Sequence, residues 1–209
     1  GKPVPVPFTS KYTVIPEPND AVISADAMNV VYRGVDNPVS VSLPGVSSNN
    51  LNVTGTGGQV IKTGNGYLVK PGAGNEMKIN VGATLTSGKK VTSAKTFRIK
   101  DIPAAQGSAR GEFGIVKMPK SSVARAAIGA GLPDFVFDLR LKVNSFKVKV
   151  PGQLTVLVNG TTFNAAAKKV LQRARRGDII TIFDIEAVIE NNTSYKLNKV
   201  LPVSIEITN

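Results

Sequence analysis

Apolar residues recur at every second position in run after run of this chain, and a glycine- or proline-bearing turn signal closes most of the runs. Val39, Val41 and Leu43 alternate with Ser40 and Ser42; Met77, Ile79, Val81 and Ala83 alternate with Lys78, Asn80 and Gly82; Phe97 and Ile99 flank Arg98. Successive side chains of a strand point to opposite faces, so each run buries one face and wets the other. Asn37-Pro38, Pro44-Gly45, Gly57-Gly58, Asn65-Gly66, Pro71-Gly72 and Ser87-Gly88 punctuate these strands. Short strands separated by turns roughly every ten residues predict antiparallel β-sandwiches, mainly β and Ig-like in architecture.

The second half repeats the pattern in longer strands. Phe135, Phe137, Leu139, Leu141 and Val143 are spaced two apart, and the run continues through Phe146, Val148 and Val150. Leu154, Val156 and Val158 follow Pro151-Gly152, then come Phe183, Ile185, Ala187 and Ile189, and finally Val203, Ile205 and Ile207. One amphipathic helix is expected over 164–176, where Phe163, Ala167, Val170, Leu171 and Ala174 share a face, Asn164 suits the N-cap and Gly177 the left-handed C′ position. A helical turn or two is expected in Ser121–Gly131. The small-residue stretch Asp101–Gly114 reads as a linker, which divides the chain into a first domain at 1–103 and a second at 104–209. Pro3, Pro5 and Pro7 predict a stiff, extended entry segment. The opening GKPVPVP has no initiator Met and no apolar leader, so a fragment or a processed chain is expected.

Composition narrows the chemistry. The chain has no His and no Cys, which removes imidazole and thiol catalysis, disulfides and the usual zinc sites. Its formal charge of +12 invites an acidic or polyanionic partner. Lys168, Lys169, Arg173, Arg175 and Arg176 concentrate that charge on the expected helix and form the candidate partner-binding face. Three readings fit them: a solvated face whose cations complement the helix dipole, docking on an acidic protein surface, or phosphate contact without the interleaved aromatics that stack bases. Asp184 and Glu186, two apart on a strand, share a face as an acid–base pair would, but with Phe183, Ile185 and Ala187 assigned inward they read as the wet side of a half-buried strand. Val35-Asp36-Asn37-Pro38 is similar to a calcium linker between tandem sandwiches, yet no acidic cluster accompanies it and a turn accounts for it. No catalytic, cofactor-binding or metal residues are assigned, and no cofactor is expected.

Several ordered stretches carry a family resemblance. MNVVYRGVDNPVSVSLPGV (28–46) and YLVKPGAGNEMKINV (67–81) resemble the penultimate periplasmic domain of the GldM/PorM family. FRIKDIP (97–103), GEFGIVKMPKS (111–121), LPDFVFDL from Leu132 and RRGDIITIFDI from Arg175 resemble its last domain, with PorM the preferred of the two names. The resemblance implies a non-enzymatic homodimeric shaft of the type IX secretion and gliding motor of Bacteroidetes. Its full-length protein would join a GldL/PorL-type partner at the inner membrane and reach an outer-membrane-associated ring of GldK/PorK and GldN/PorN type. Without the resemblance, an adhesin or ligand-binding tandem module is the alternative; the lack of Trp weakens a carbohydrate-binding version of it.

Overall fold

The computed structural model describes residues 22–25, 28–64, 66–192 and 195–209. The Pro3, Pro5, Pro7 segment and Asn65 of the Asn65-Gly66 turn lie outside the described residues. The fold is mainly β, in tandem sandwiches. Two compact units take their described residues from Gly1–Asn29 with Pro38–Arg98, and from Val30–Asn37 with Ile99–Asn209. Sequence reading placed the divide at 103/104.

Among the described residues the first eight strands in chain order are β1 (Val22–Ala25), β2 (Val30–Tyr32), β3 (Asn37–Ser42), β4 (Asn52–Thr56), β5 (Gly58–Thr63), β6 (Gly66–Pro71), β7 (Glu76–Thr84) and β8 (Lys90–Lys100). One sheet of the first unit runs β1-β3-β6-β5, and β4, β7 and β8 neighbour one another in a second. β7 and β8 pair without a break from Glu76↔Arg98 to Thr84↔Lys90. Of the alternating residues, Val39, Leu43, Met77, Ile79, Val81, Phe97 and Ile99 are buried, Val41 and Ala83 are half-buried, and Ser40, Ser42, Lys78 and Arg98 face water; Tyr67, Val69 and Val91, outside those runs, are buried as well. Gly45, Gly57 and Gly88 adopt positive φ in the Pro44-Gly45, Gly57-Gly58 and Ser87-Gly88 turns, where a Cβ would be strained.

Asn37 holds the turn between β2 and β3. It is buried, its Oδ1 accepts from the Tyr32 N–H at 2.7 Å, and its Nδ2 donates to the Tyr32 and Val35 carbonyls at 2.9 and 3.0 Å. Its side chain is thus engaged with its own turn, the reading that competed with a calcium linker.

The second unit adds β9 (Gln106–Ala109), β10 (Glu112–Phe113), β11 (Ile115–Met118), α1 (Lys120–Val123), β12 (Ile128–Gly131), β13 (Leu141–Lys149), β14 (Val156–Asn159), α2 (Ala165–Leu171), β15 (Ile179–Ile189) and β16 (Val203–Ile207). A five-stranded sheet runs β11-β16-β15-β13-β14, with β11 parallel to β16 and the other pairs antiparallel. A smaller sheet runs β10-β9-β12. Phe146, Val148, Val150, Ile180, Ile182, Val203, Ile205 and Ile207 fill the core between them. Phe163, just before α2, meets Phe146 edge-on with ring centroids 5.5 Å apart.

Four local expectations change. The stretch read as a linker contains β9, with Gly107, Ser108 and Ala109 buried; its small residues are a packing requirement, since a Cβ on Gly107 would meet the Ile185 side chain and lie 2.9 Å from the Leu201 carbonyl oxygen. Only the first part of Ser121–Gly131 is helical, and its last four residues are β12. Phe135, Phe137 and Leu139 precede the strand instead of forming it. The Pro133-Asp134 turn, closed by the Phe135 N–H on the Leu132 carbonyl, takes the backbone off the sheet, and the two rings pack on Tyr32 at 4.8 and 5.9 Å. Leu154 likewise lies before β14 and is exposed.

Gly107→Ala should lower the unfolding free energy in urea by about 1–3 kcal/mol, the usual penalty of overpacking. Gly82→Ala, where nothing lies within 4 Å of the added Cβ, is the control and should change it little.

Candidate functional site

The expected basic helix is shorter than its sequence suggested. α2 spans Ala165–Leu171, against an expected 164–176, with Asn164 as the N-cap accepting from the Ala167 N–H at 2.8 Å. After Leu171 the backbone tightens: Arg173 N–H bonds Val170 O, Ala174 N–H bonds Leu171 O and Asp178 N–H bonds Arg175 O. Gly177, at φ +83, serves that last turn and donates to Ile207 O, so it is not the helix C′ residue. Two pulls end the helix early: burial of Ala174 against the core, and Asp178, whose Oδ2 accepts from the Arg175 N–H at 2.7 Å.

Lys168 and Lys169 therefore ride the last helical turn, whereas Arg173, Arg175 and Arg176 ride the loop beyond it. All five are exposed, on a helix end and the loop after it and not on one helix, with Leu171 and Ala174 buried between them. Among the described residues none of them pairs with a carboxylate. Arg173 Nη1 donates to Gln153 Oε1 at 3.2 Å. Lys120 Nζ, from α1, donates to the Gln172 carbonyl at 2.6 Å, capping the negative end of α2. A hollow of about 580 Å³ opens beside these residues, lined by Lys120, Lys168, Ala124 and Leu171 among others.

Sequence reading missed a second polar concavity on the same unit. β13 and β15 pair as Val143↔Ala187, Ser145↔Glu186 and Lys147↔Phe183, so each strand carries one extra residue: Asn144 on β13 and one between Phe183 and Glu186 on β15. Asp184 takes φ +46 there. The bulge reverses the parity of β15. Ile180 and Ile182 are the core residues of its first half, Phe183 is only half-buried, and Ile185 and Ile189 are buried after the bulge. The inward assignment of Phe183 is thus corrected. Asp184 and Glu186 flank the buried Ile185 and open onto one cleft, as their two-residue spacing suggested; the bulge is what takes Phe183 out of the inward set.

Asp184 is the electrostatic centre of that cleft. Its carboxylate accepts from Lys147 Nζ at 3.1 Å and lies 3.3 Å from Lys199 Nζ, while Glu186 accepts from Ser145 Oγ at 2.9 Å. The hydrogen bonds from Lys147 and then Lys199 hold the Asp184 pKa below its ordinary 3.8. No group of three or more metal-ligating side chains gathers among the described residues.

Two family models match the chain in order. The third domain of GldM matches residues 20–100, and the GldM C-terminal domain matches residues 101–208. The chain belongs to the GldM family. The matches do not separate GldM from PorM. Membership implies a component of the type IX secretion and gliding-motility machinery, in a family that is a structural motor component and not a known enzyme family. GldM domains of this kind are C-terminal periplasmic parts of a membrane protein; among the described residues no helix is long and apolar enough to cross a membrane. No curated protein matches the chain. Among solved structures, fibronectin(III)-like modules of Clostridium thermocellum CbhA share 14% identity over 90% of this chain and 94% of theirs, at a TM-score of 0.28.

Because the folded pKa of Asp184 is depressed, its ion pairs add stability above the ordinary value and lose it as pH falls below 3.8 through the folded value. Melting wild type and Asp184→Asn side by side from about pH 6 to about pH 2 should show the wild-type advantage shrinking only in the acid limb. It should shrink with added salt as well, since Lys199 is largely exposed.

Proposed function

We propose that this chain forms the distal part of a periplasmic shaft that carries energy from an inner-membrane motor of GldL/PorL type to the outer-membrane-associated ring of GldK/PorK and GldN/PorN type, acting as a homodimer and without catalysis of its own. The observation that carries the reading is the order of the two family matches, third domain then C-terminal domain, each on its own stretch of chain. Stiffness supports it: β7 and β8 pair along their whole facing length and β13 and β15 span nine and eleven residues, so load along a strand is shared by many backbone hydrogen bonds. The adhesin reading has no comparable support, because it rested on architecture alone.

In this proposal Lys168, Lys169, Arg173, Arg175 and Arg176 meet an acidic surface of the ring. Residues 104–209 hold 15 basic and 8 acidic residues, a balance of 15 − 8 = +7. Cations exposed at an interface rim mainly raise the association rate and are screened over a Debye length of about 8 Å.

Replacing Lys168, Lys169 and Arg173 together by Glu should weaken binding to GldK- and GldN-type ring subunits by about tenfold or more at low salt, with the gap narrowing at high salt and the melting temperature unchanged. Full ring affinity in a natively melting triple variant would mean that these cations are only solvated. Light scattering tests the dimer separately: a mass of one chain at high protein concentration would remove it from the proposal.

A further inference from the structure

We propose that the cleft between β13, β15 and the segment Tyr195–Val200 is a binding site for an extended peptide segment bearing carboxylate side chains. The cleft encloses about 600 Å³, within the span of about 300–1,000 Å³ usual for ligand sites. Three features converge on it. The first is the bulge, a device that re-aims side chains and ends regular pairing beside functional sites. The second is the left-handed backbone of Asp184, a conformation that a non-glycine residue keeps only when its surroundings hold it there.

The third is the charge arrangement, which names the ligand. Lys147, Lys196 and Lys199 line the cleft with Asp184 and Glu186, a local balance of 3 − 2 = +1. Both acids are already engaged, Asp184 by two lysines and Glu186 by Ser145, whereas Lys196 is exposed and has no partner among the described residues. The Asp184 carboxylate sitting between two ammonium groups shows that this seat fits a carboxylate, so Asp184 acts as a built-in competitor for the incoming one. A bare anion would make no use of the rest of the lining: Leu157 and Leu197 offer apolar contact, and Asn198, whose Nδ2 is held by the Ile102 carbonyl at 3.0 Å, leaves its Oδ1 for a peptide N–H. None of the five cations around α2 lines this cleft, so the site is independent of the proposed ring contact.

The test is a titration of the whole ¹⁵N-labelled chain with the acetylated, amidated tetrapeptide Leu-Asp-Leu-Glu, its neutral counterpart Leu-Asn-Leu-Gln, and inorganic phosphate. Saturable shifts centred on the amides of Ser145, Glu186, Leu197 and Asn198 are expected with the acidic peptide alone. Lys196→Glu with Lys199→Glu should abolish them. Asp184→Asn keeps the left-handed backbone and frees both lysines, so it should tighten binding by roughly threefold, the size of one partly exposed ion pair; a residue that only supported the fold would not move affinity upward. Equal binding of the neutral peptide, tighter binding of phosphate, or no saturable shift in either wild type or Asp184→Asn would overturn the proposal.

Discussion

The second unit depends on a matched irregularity in its two longest strands. Inward residues of β13 step by two except from Val143 to Phe146, and those of β15 step by two except from Ile182 to Ile185. Each three-residue step needs a bulge, and the register supplies one on each strand. Without them a strict alternation would turn half of each strand's apolar set to water. Burying one such side chain is worth about 1.5–3 kcal/mol, and Phe146, Val148, Val150, Ile180 and Ile182 are all at stake. A left-handed residue costs about 1–2 kcal/mol, less for an Asp than for most. Burial wins by a wide margin, so the strain at Asp184 is held in place by the core. The consequence reaches the surface, because the same bulge aims Asp184 at Lys147 and Lys199.

Much of this is legible in the sequence. The change of step between Val143 and Phe146 is visible in the sequence, as is the turn chemistry at Pro44-Gly45 and Ser87-Gly88, where the backbone needs positive φ. β16, with Val203, Ile205 and Ile207 all buried, follows its period without exception. What escaped was set by partners distant in sequence. Gly107, Ser108 and Ala109 look like linker residues because smallness serves flexibility and close packing equally; only the proximity of Ile185 and Leu201 decides between them. Phe135 and Phe137 keep a strand's spacing but answer to Tyr32, about a hundred positions earlier. The cleft was hidden for the same reason: Ser145, Asp184 and Lys199 are joined by register and not by any local motif.

Charge and stability are largely separate in this molecule. The ion pairs Arg33–Asp101, Lys117–Glu206 and Lys199–Asp184 each leave at least one partner more than half exposed, and such pairs contribute about 0–1 kcal/mol each. They are small beside the burial of a single core isoleucine. The +12 surplus is therefore not what holds the fold, and self-repulsion opposes compactness. Among the described residues the side chains of Lys168, Lys169, Arg175 and Arg176 form no ion pair, so their field is left for association.

The geometry of those cations is inherited from the core. At seven residues α2 is too short to persist alone, since isolated helices below roughly 12–15 residues are marginal in water. Three contacts hold it. Phe163 stacks edge-on against Phe146, Ala167 and Leu171 are buried, and Asn164 works in two directions, accepting from Ala167 N–H and donating from Nδ2 to the Leu157 carbonyl on the edge strand β14 at 3.1 Å. That last bond also occupies a carbonyl of an edge strand, which would otherwise be open to pairing with another chain. One asparagine thus starts the helix, fastens it to the sheet and blunts the edge, so the basic stretch beyond Leu171 is presented from a fixed platform instead of a fraying end.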